Sequence, residues 1–311
     1  MAQGSGFRKT ILIGDHFVLY DVPALVAALP FETVTRVEQV DGKGWVLEDL
    51  FTGRPGYLDK KSAKREASIN RILEVMGIDV KKHPIKIIYG GDYVPGSGLG
   101  ASAASCVSLV RALNEEFGLG LSIDEINRIS WEGEFPYHGK PSGVDNTAST
   151  YGGIILYRVK GAQKQYEKII TGKSIHLVLG NSGITTDTSQ LRPYTNHLMR
   201  EDPGRFKSWL NRIREQVFEM KQGLEADDPE KVGAVMTENH NLLTDMGLSH
   251  EILDILCHTA IEKGAMGAKV TGGGRGGYMV AISPDTVCQE AIAAAMEKAG
   301  YIAVCATIRG L

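Results

Sequence analysis

Cysteine is scarce in this chain: Cys106, Cys257, Cys288 and Cys305 are the only four among 311 residues. They lie far apart, none forms a C-x-x-C pair, and each sits in an apolar or helical stretch. That argues against a zinc site or a disulfide framework and predicts buried free thiols in a reducing compartment. Basic clusters are lacking as well. Lys and Arg total 34 against 37 Asp and Glu, for a net charge of −3, which disfavours a nucleic-acid partner. No stretch reaches the roughly 18 consecutive apolar residues of a membrane span. The start, Met1 to Lys9, is polar and has no apolar signal core. These absences lead to the expectation of a soluble cytoplasmic protein with neither a membrane nor a nucleic-acid partner. An anionic substrate would need a local cluster of positive groups.

What is present is ordinary globular material, 43% hydrophobic and 23% charged. At about 100–200 residues per domain the length suggests two domains. Short β-rich runs occur at Thr10–Ile13 and Phe17–Tyr20, around the bend Gly14-Asp15-His16. Ile85–Tyr89 predicts another strand and Ala103–Phe117 a helix. Residues Val159 to Lys173 are polar and Lys-rich, which suggests a domain junction. A strand at Ile175–Leu179 follows, then a long amphipathic helix through Phe206, Leu210, Ile213, Val217, Met220 and Leu224. Further helices begin at Pro229 and after Ser249, a good N-cap, with Gly264 as a stop. A strand at Tyr278–Ile282, a helix around Glu290–Ala299 and a strand at Ala303–Ile308 complete the chain. Strands and helices mix without strict alternation, which argues for an α+β protein.

Three segments carry candidate chemistry. Pro95-Gly96-Ser97-Gly98-Leu99-Gly100-Ala101-Ser102 lies between a strand and a helix. Glycine lets backbone N–H groups approach an anion, and the helix N-terminus adds unsatisfied donors and partial positive charge. A plain turn with a helix cap uses the same residues. It is not a Walker A loop, because no Lys-Ser or Lys-Thr follows the last glycine. The segment Glu134 to Asp145 holds two carboxylates around a Pro/Gly turn, suited to a metal and to an acceptor hydroxyl. Read alone, Asp145 and Asn146 after Pro-Ser-Gly are better explained as a helix or turn cap. By the same standard Lys9 is a solvated terminal lysine and His16 an ordinary strand-end histidine. The third segment, Thr271–Gly277, contains a formal dinucleotide fingerprint. It follows a predicted helix and precedes a strand, the reverse of the context that mechanism requires.

The order and spacing of these segments resemble the GHMP kinases. Pro95–Ser102 resembles their phosphate-binding motif, P-x-G-S/A-G-L-G-S/A-S, keeping G-S/A-G-L-G-S/A-S at Gly96–Ser102 with Pro95 directly before it. His138-Gly139-x-Pro141-Ser142-Gly143-Val144-Asp145-Asn146 looks like the most diagnostic motif of the mevalonate kinase branch. Lys9-Thr10-Ile11-Leu12-Ile13-Gly14-Asp15-His16 resembles its opening K-x-x-L-x-G-E-H, with Asp15 for the usual Glu. Lys269–Gly277 resembles K-x-T-G-A-G-G-G-G, with Gly273 and Arg275 as departures. A second departure is Ser5-Gly6-Phe7-Arg8, where the family has Ala-Pro-Gly before the lysine.

The resemblance implies a GHMP kinase fold. An N-terminal domain like ribosomal protein S5 domain 2 would span 1–165, and a C-terminal ferredoxin-like domain 166–311. It implies Mg²⁺ as cofactor, ATP as co-substrate, and phosphorylation of the 5-hydroxyl of (R)-mevalonate in isoprenoid biosynthesis, with a homodimer as the possible assembly. Pro95, Gly96, Ser97, Gly98, Leu99, Gly100, Ala101 and Ser102 would wrap the triphosphate, and Ser102 and Glu134 would hold the metal. Lys9 and Asp145 would act on the hydroxyl, and His16, Asp15, Thr188 and Gly273 would face the substrate. Arg275 would meet phosphate charge or point to solvent. The rivals are a sister kinase for phosphomevalonate, homoserine or a sugar, the diphosphomevalonate decarboxylase branch, and a non-catalytic sensor on the same fold.

Overall fold

A computed structural model describes residues 1–57, 59–161, 163–185 and 191–310. The chain forms two compact units. One comprises Met1–Lys9, Pro30–Gly96 and Gly100–Gly152; the other comprises Thr10–Leu29, Ser97–Leu99 and Gly153–Leu311.

Strands β1 (Ala2–Ile13) and β2 (Ala24–Gln39) each contribute one part to either unit. The first unit adds β3 (Trp45–Asp49), α1 (Ser62–Met76), β4 (Ile85–Gly91), α2 (Ala101–Glu116), α3 (Ile123–Gly133), α4 (Phe135–His138) and α5 (Val144–Tyr151). The second half of β2 pairs antiparallel with β4 at Val37 and Ile87, and β3 pairs parallel with β4. Val37, Ile85, Ile87 and Tyr89 of this sheet meet Ile69 and Ile72 of α1, Val107, Val110 and Leu113 of α2, and Ile129 of α3. The apolar spacing of three and four residues on α2 thus faces the sheet. Helix α3 begins in a capping box, with the Ser122 hydroxyl accepting from the Glu125 N–H and the Glu125 carboxylate accepting from the Ser122 N–H.

The second unit contains β5 (Ile154–Lys160), β6 (Gln163–Ile169), β7 (Ile175–Asn181), α6 (Leu191–Glu201), α7 (Pro203–Glu225), α8 (Pro229–Asp245), α9 (Glu251–Glu262), β8 (Gly267–Thr271), β9 (Tyr278–Ser283), α10 (Thr286–Lys298) and β10 (Ile302–Ile308). Its four-stranded antiparallel sheet has the order β10-β7-β9-β8, the ferredoxin-like arrangement. Phe206, Ile213, Leu243, Leu253, Leu256 and Met296 pack on Val178, Val270, Met279 and Ala281. Asp202, Asp228 and Asp285 cap α7, α8 and α10, and proline follows the first two, where a missing N–H costs nothing.

Several expectations need correction. Phe17–Tyr20 is not a strand; Val18–Tyr20 is a 3-10 turn. Left-handed backbone at Gly14, His16 and Asp21 bends the chain too often for an extended run, while Phe17 packs into the core. Val159–Lys173 is not a bare linker. It includes the end of β5 and all of β6, whose exposed polar residues suit the outer strand of a sheet. The cap before α9 is His250, whose Nδ1 accepts from the Ile252 N–H, whereas Ser249 donates to Asp254. Cys106 and Cys257 are buried, but Cys288 is half-buried and Cys305 exposed on β10. A strand, not a helix, precedes the second glycine cluster, which therefore closes the β8–β9 hairpin.

Candidate active site

The first unit holds the two expected catalytic residues, Lys9 and Asp145, and the two expected metal ligands, Ser102 and Glu134. Lys9 lies on β1, which runs directly over α2. A Cβ at Gly4 would fall 2.4 Å from the Ser108 carbonyl oxygen, and one at Gly6 2.4 Å from that of Ala104. These contacts explain the unusual glycine-rich approach to Lys9: close backbone packing requires residues without side chains. Arg111 of α2 then ties β1 to α5, donating to the Ser5 and Thr150 carbonyls at 2.6 and 2.7 Å.

Lys9 is buried, and its Nζ lies 3.1 Å from Asp145 Oδ1 in the first turn of α5. Lys9, not Arg8, therefore forms this pair. Successive strand residues point to opposite faces, so neighbours in sequence do not compete for one carboxylate. The Lys9 stem packs over Gly100, where an added Cβ would lie 2.7 Å from Lys9 Cγ. Gly100 also has φ +72° as the N-cap of α2, so two constraints demand glycine at one position. Gly96 and Gly98 share the left-handed region, which gives the loop its alternating turns. With no capping side chain at Gly100, the first N–H groups of α2 remain directed toward an incoming anion.

Glu134 follows the end of α3, and close packing fixes its backbone. A Cβ at Gly133 would meet Ile72 Cδ1 at 2.7 Å and Cys106 Sγ at 3.0 Å, and the Ser68 hydroxyl donates to the Gly133 carbonyl at 2.6 Å. The carboxylate is buried, and its Oε1 has no hydrogen-bond partner. Burial, and next the negative charge of Asp145, push its pKa up to about 8, while Ser102 and Lys9 act in the opposite direction.

His138, four residues on, brings Nε2 to 3.1 Å from Ser102 Oγ and 3.8 Å from Glu134 Oε1. Burial holds its pKa below the usual imidazole value, against the pull of Asp145. The sequence motif alone gives His138 no role. Its i,i+4 spacing from Glu134 was the available signal. Lys61 and Lys64 also act on the His138 charge, supplying the local positive field that the overall composition lacks. Other motif residues hold the frame. Trp131 Nε1 donates to the Pro141 carbonyl at 3.0 Å, and the Asn146 amide donates to the Asn127 side chain at 2.6 Å.

Glu134 and Ser102 fit a divalent cation. A buried carboxylate oxygen lacking a partner, beside a second carboxylate and a hydroxyl, is a costly arrangement without a positive charge to offset it. Among the described residues no cluster of three or more His, Cys, Asp or Glu forms a complete metal cage. Mg²⁺ usually takes one or two protein ligands and completes its shell with water and substrate phosphates.

The second unit holds the remaining described candidates. Asp15 is 1% exposed; its two oxygens accept from Lys269 Nζ at 2.5 Å and from the Gly272 N–H at 2.8 Å. His16 adopts φ +67°, a strained conformation for a residue with a side chain. Gly273 is buried within the β8–β9 turn. The Arg275 guanidinium stacks 3.8 Å from the Tyr194 ring centroid. Thr188 lies outside the described residues.

Known proteins resemble this chain over nearly its whole length. The family model for the GHMP kinases N terminal domain matches residues 65–153, and that for the GHMP kinases C terminal matches 220–302. The chain is 30% identical to the mevalonate kinase of Pyrococcus horikoshii, covering 94% of this chain and 91% of that one. It is 29% identical to the mevalonate kinase of Aeropyrum pernix, with 96% and 93% covered. Among solved structures, L. major mevalonate kinase in complex with R-mevalonate superposes with a TM-score of 0.93 at 30% identity, covering 100% of this chain and 96% of that one.

Proposed function

The chain belongs to the mevalonate kinase family of GHMP kinases, and from that premise we propose how its residues divide the work of one reaction. The reaction is transfer of the γ-phosphoryl group of ATP to the 5-hydroxyl of (R)-mevalonate, giving ADP and 5-phosphomevalonate. The observation that carries the assignment of roles is the 3.1 Å pair between buried Lys9 and half-buried Asp145. Phosphoryl transfer needs little covalent chemistry from the protein beyond positioning and charge stabilisation. Asp145 accepts the proton of the attacking hydroxyl. The Lys9 ammonium stabilises negative charge on the attacking oxygen and on the transferred group.

The Pro95–Ser102 loop and the first turn of α2 hold the triphosphate through backbone N–H groups. Ser102 and Glu134 hold Mg²⁺, which when bound neutralises phosphate charge. His138 keeps the Ser102 hydroxyl oriented. His16, Gly273 and Thr188 belong to the acceptor side. The two family domains are assigned to 1–165 and 166–311, and the cytoplasm is the compartment proposed for the enzyme. Among the described residues no helix is long and apolar enough to cross a membrane.

The test is ADP release by the purified protein with MgATP and each of mevalonate, phosphomevalonate, homoserine and galactose. Turnover dependent on mevalonate is expected. Turnover confined to another acceptor would transfer the assignment to a sister kinase. No turnover with any acceptor, despite ATP binding, would favour a sensor.

A further inference from the structure

The mechanism leaves one buried charged group without a task. Lys269, on β8, is wholly inaccessible, and its Nζ lies 2.5 Å from Asp15 Oδ2. Taking two charges out of water is expensive, and such a pair is seldom a net source of stability. Its value is better sought in what it fixes. Asp15 Oδ1 accepts from the Gly272 N–H at 2.8 Å, so this carboxylate ties the Gly14-Asp15-His16 bend to the first residue of the second glycine cluster.

A neighbouring contact acts on the same elements. The Thr271 hydroxyl donates to the Ile11 carbonyl at 3.0 Å, and its oxygen accepts from the Ile11 N–H at 3.1 Å. The bend itself is strained and closely packed. His16 has φ +67°, Gly14 has φ +92°, and a Cβ at Gly14 would lie 2.4 Å from the Pro23 carbonyl oxygen. Backbone of this kind persists only where its surroundings overdetermine it.

We propose that Lys269 is an acceptor-side positioning residue: through Asp15 it locks the bend that presents His16 and fixes it to the glycine cluster that carries Gly273. This rests on the mevalonate kinase reading for the identity of the acceptor. It also revises the expected role of Asp15. With both oxygens engaged and the side chain buried, Asp15 holds backbone instead of facing substrate.

The test uses the full-length double variant Asp15→Asn/Lys269→Met, which removes both charges together and leaves no unpaired buried charge. Hydrogen exchange followed by mass spectrometry should show faster exchange in peptides covering 14–17 and 272–277, with 101–113 unchanged. In steady-state kinetics the KM for mevalonate should rise roughly tenfold or more while the KM for MgATP stays within about twofold. Unchanged exchange in both segments would overturn the lock. Faster exchange with an unchanged mevalonate KM would overturn the acceptor-side role. If the parent protein fails to phosphorylate mevalonate, the functional reading falls, and with it the acceptor-side role. The exchange result still decides the lock.

Discussion

The two glycine-rich loops of this molecule have different physical settings. Pro95–Ser102 opens a 16-residue helix, and Gly100 must be glycine both for its φ of +72° and for the Lys9 stem lying against it. Gly272 also has φ +72°, but it sits in a β-hairpin turn, where a Cβ would meet the Gly98 carbonyl oxygen at 3.4 Å and its Cα at 3.8 Å, both ordinary contacts. The first loop is defined by the charges and helix end beside it. The second is defined by the buried Asp15–Lys269 pair that ties it down. Glycine content therefore marks where backbone must come close; the neighbouring charged groups say what for.

The largest expected effect tests the charged partners of the first loop. Asp145→Asn should lower kcat by about 10²-fold or more, the usual scale for losing a general base, with ATP affinity largely unchanged. Comparable loss of nucleotide binding would indicate a structural role instead. Next come Gly100→Ala and Gly272→Ala, which impose a similar backbone strain of about 1–2 kcal/mol. Both should lower the melting temperature. Only Gly100→Ala, which displaces Lys9, should also lower kcat by roughly tenfold or more. Equal kinetic effects would erase the distinction drawn between the loops.

A smaller effect concerns Glu134, whose folded-state pKa near 8 exceeds its ordinary value of 4.5. Its contribution to stability is intact below about 4.5, declines as the unfolded chain loses the proton first, and is gone above about 8. Melting of the nucleotide-free protein from pH 5 to 9 should show that decline, and Glu134→Gln should flatten it. The smallest effect is expected for Arg275→Ala. It should remove stacking on Tyr194 worth about 0.5–1 kcal/mol and leave turnover unchanged.

Much of the site was legible because its residues stand in compact motifs: Lys9 and His16 within eight positions, and Ser102, Glu134 and Asp145 within 44. What the sequence withheld were contacts made at long range. Nothing local distinguishes Lys269 from a solvated lysine, because its partner is 254 residues away. Gly4 and Gly6 stand in a polar start to which the sequence assigns no element, and only α2 beneath them explains why both are glycine. Strand β2 was not recognised, since its long apolar first half lacks the alternation of a half-buried strand. Val18–Tyr20 was misread because β-favouring residues stood between two left-handed turns that only the folded backbone reveals.

The central claim is tested most directly by ³¹P NMR of the product formed from MgATP and (R)-mevalonate. The account expects a new phosphomonoester resonance coupled to the C5 methylene protons, appearing in step with ADP. ADP accompanied only by inorganic phosphate, or phosphate on another oxygen, would contradict it.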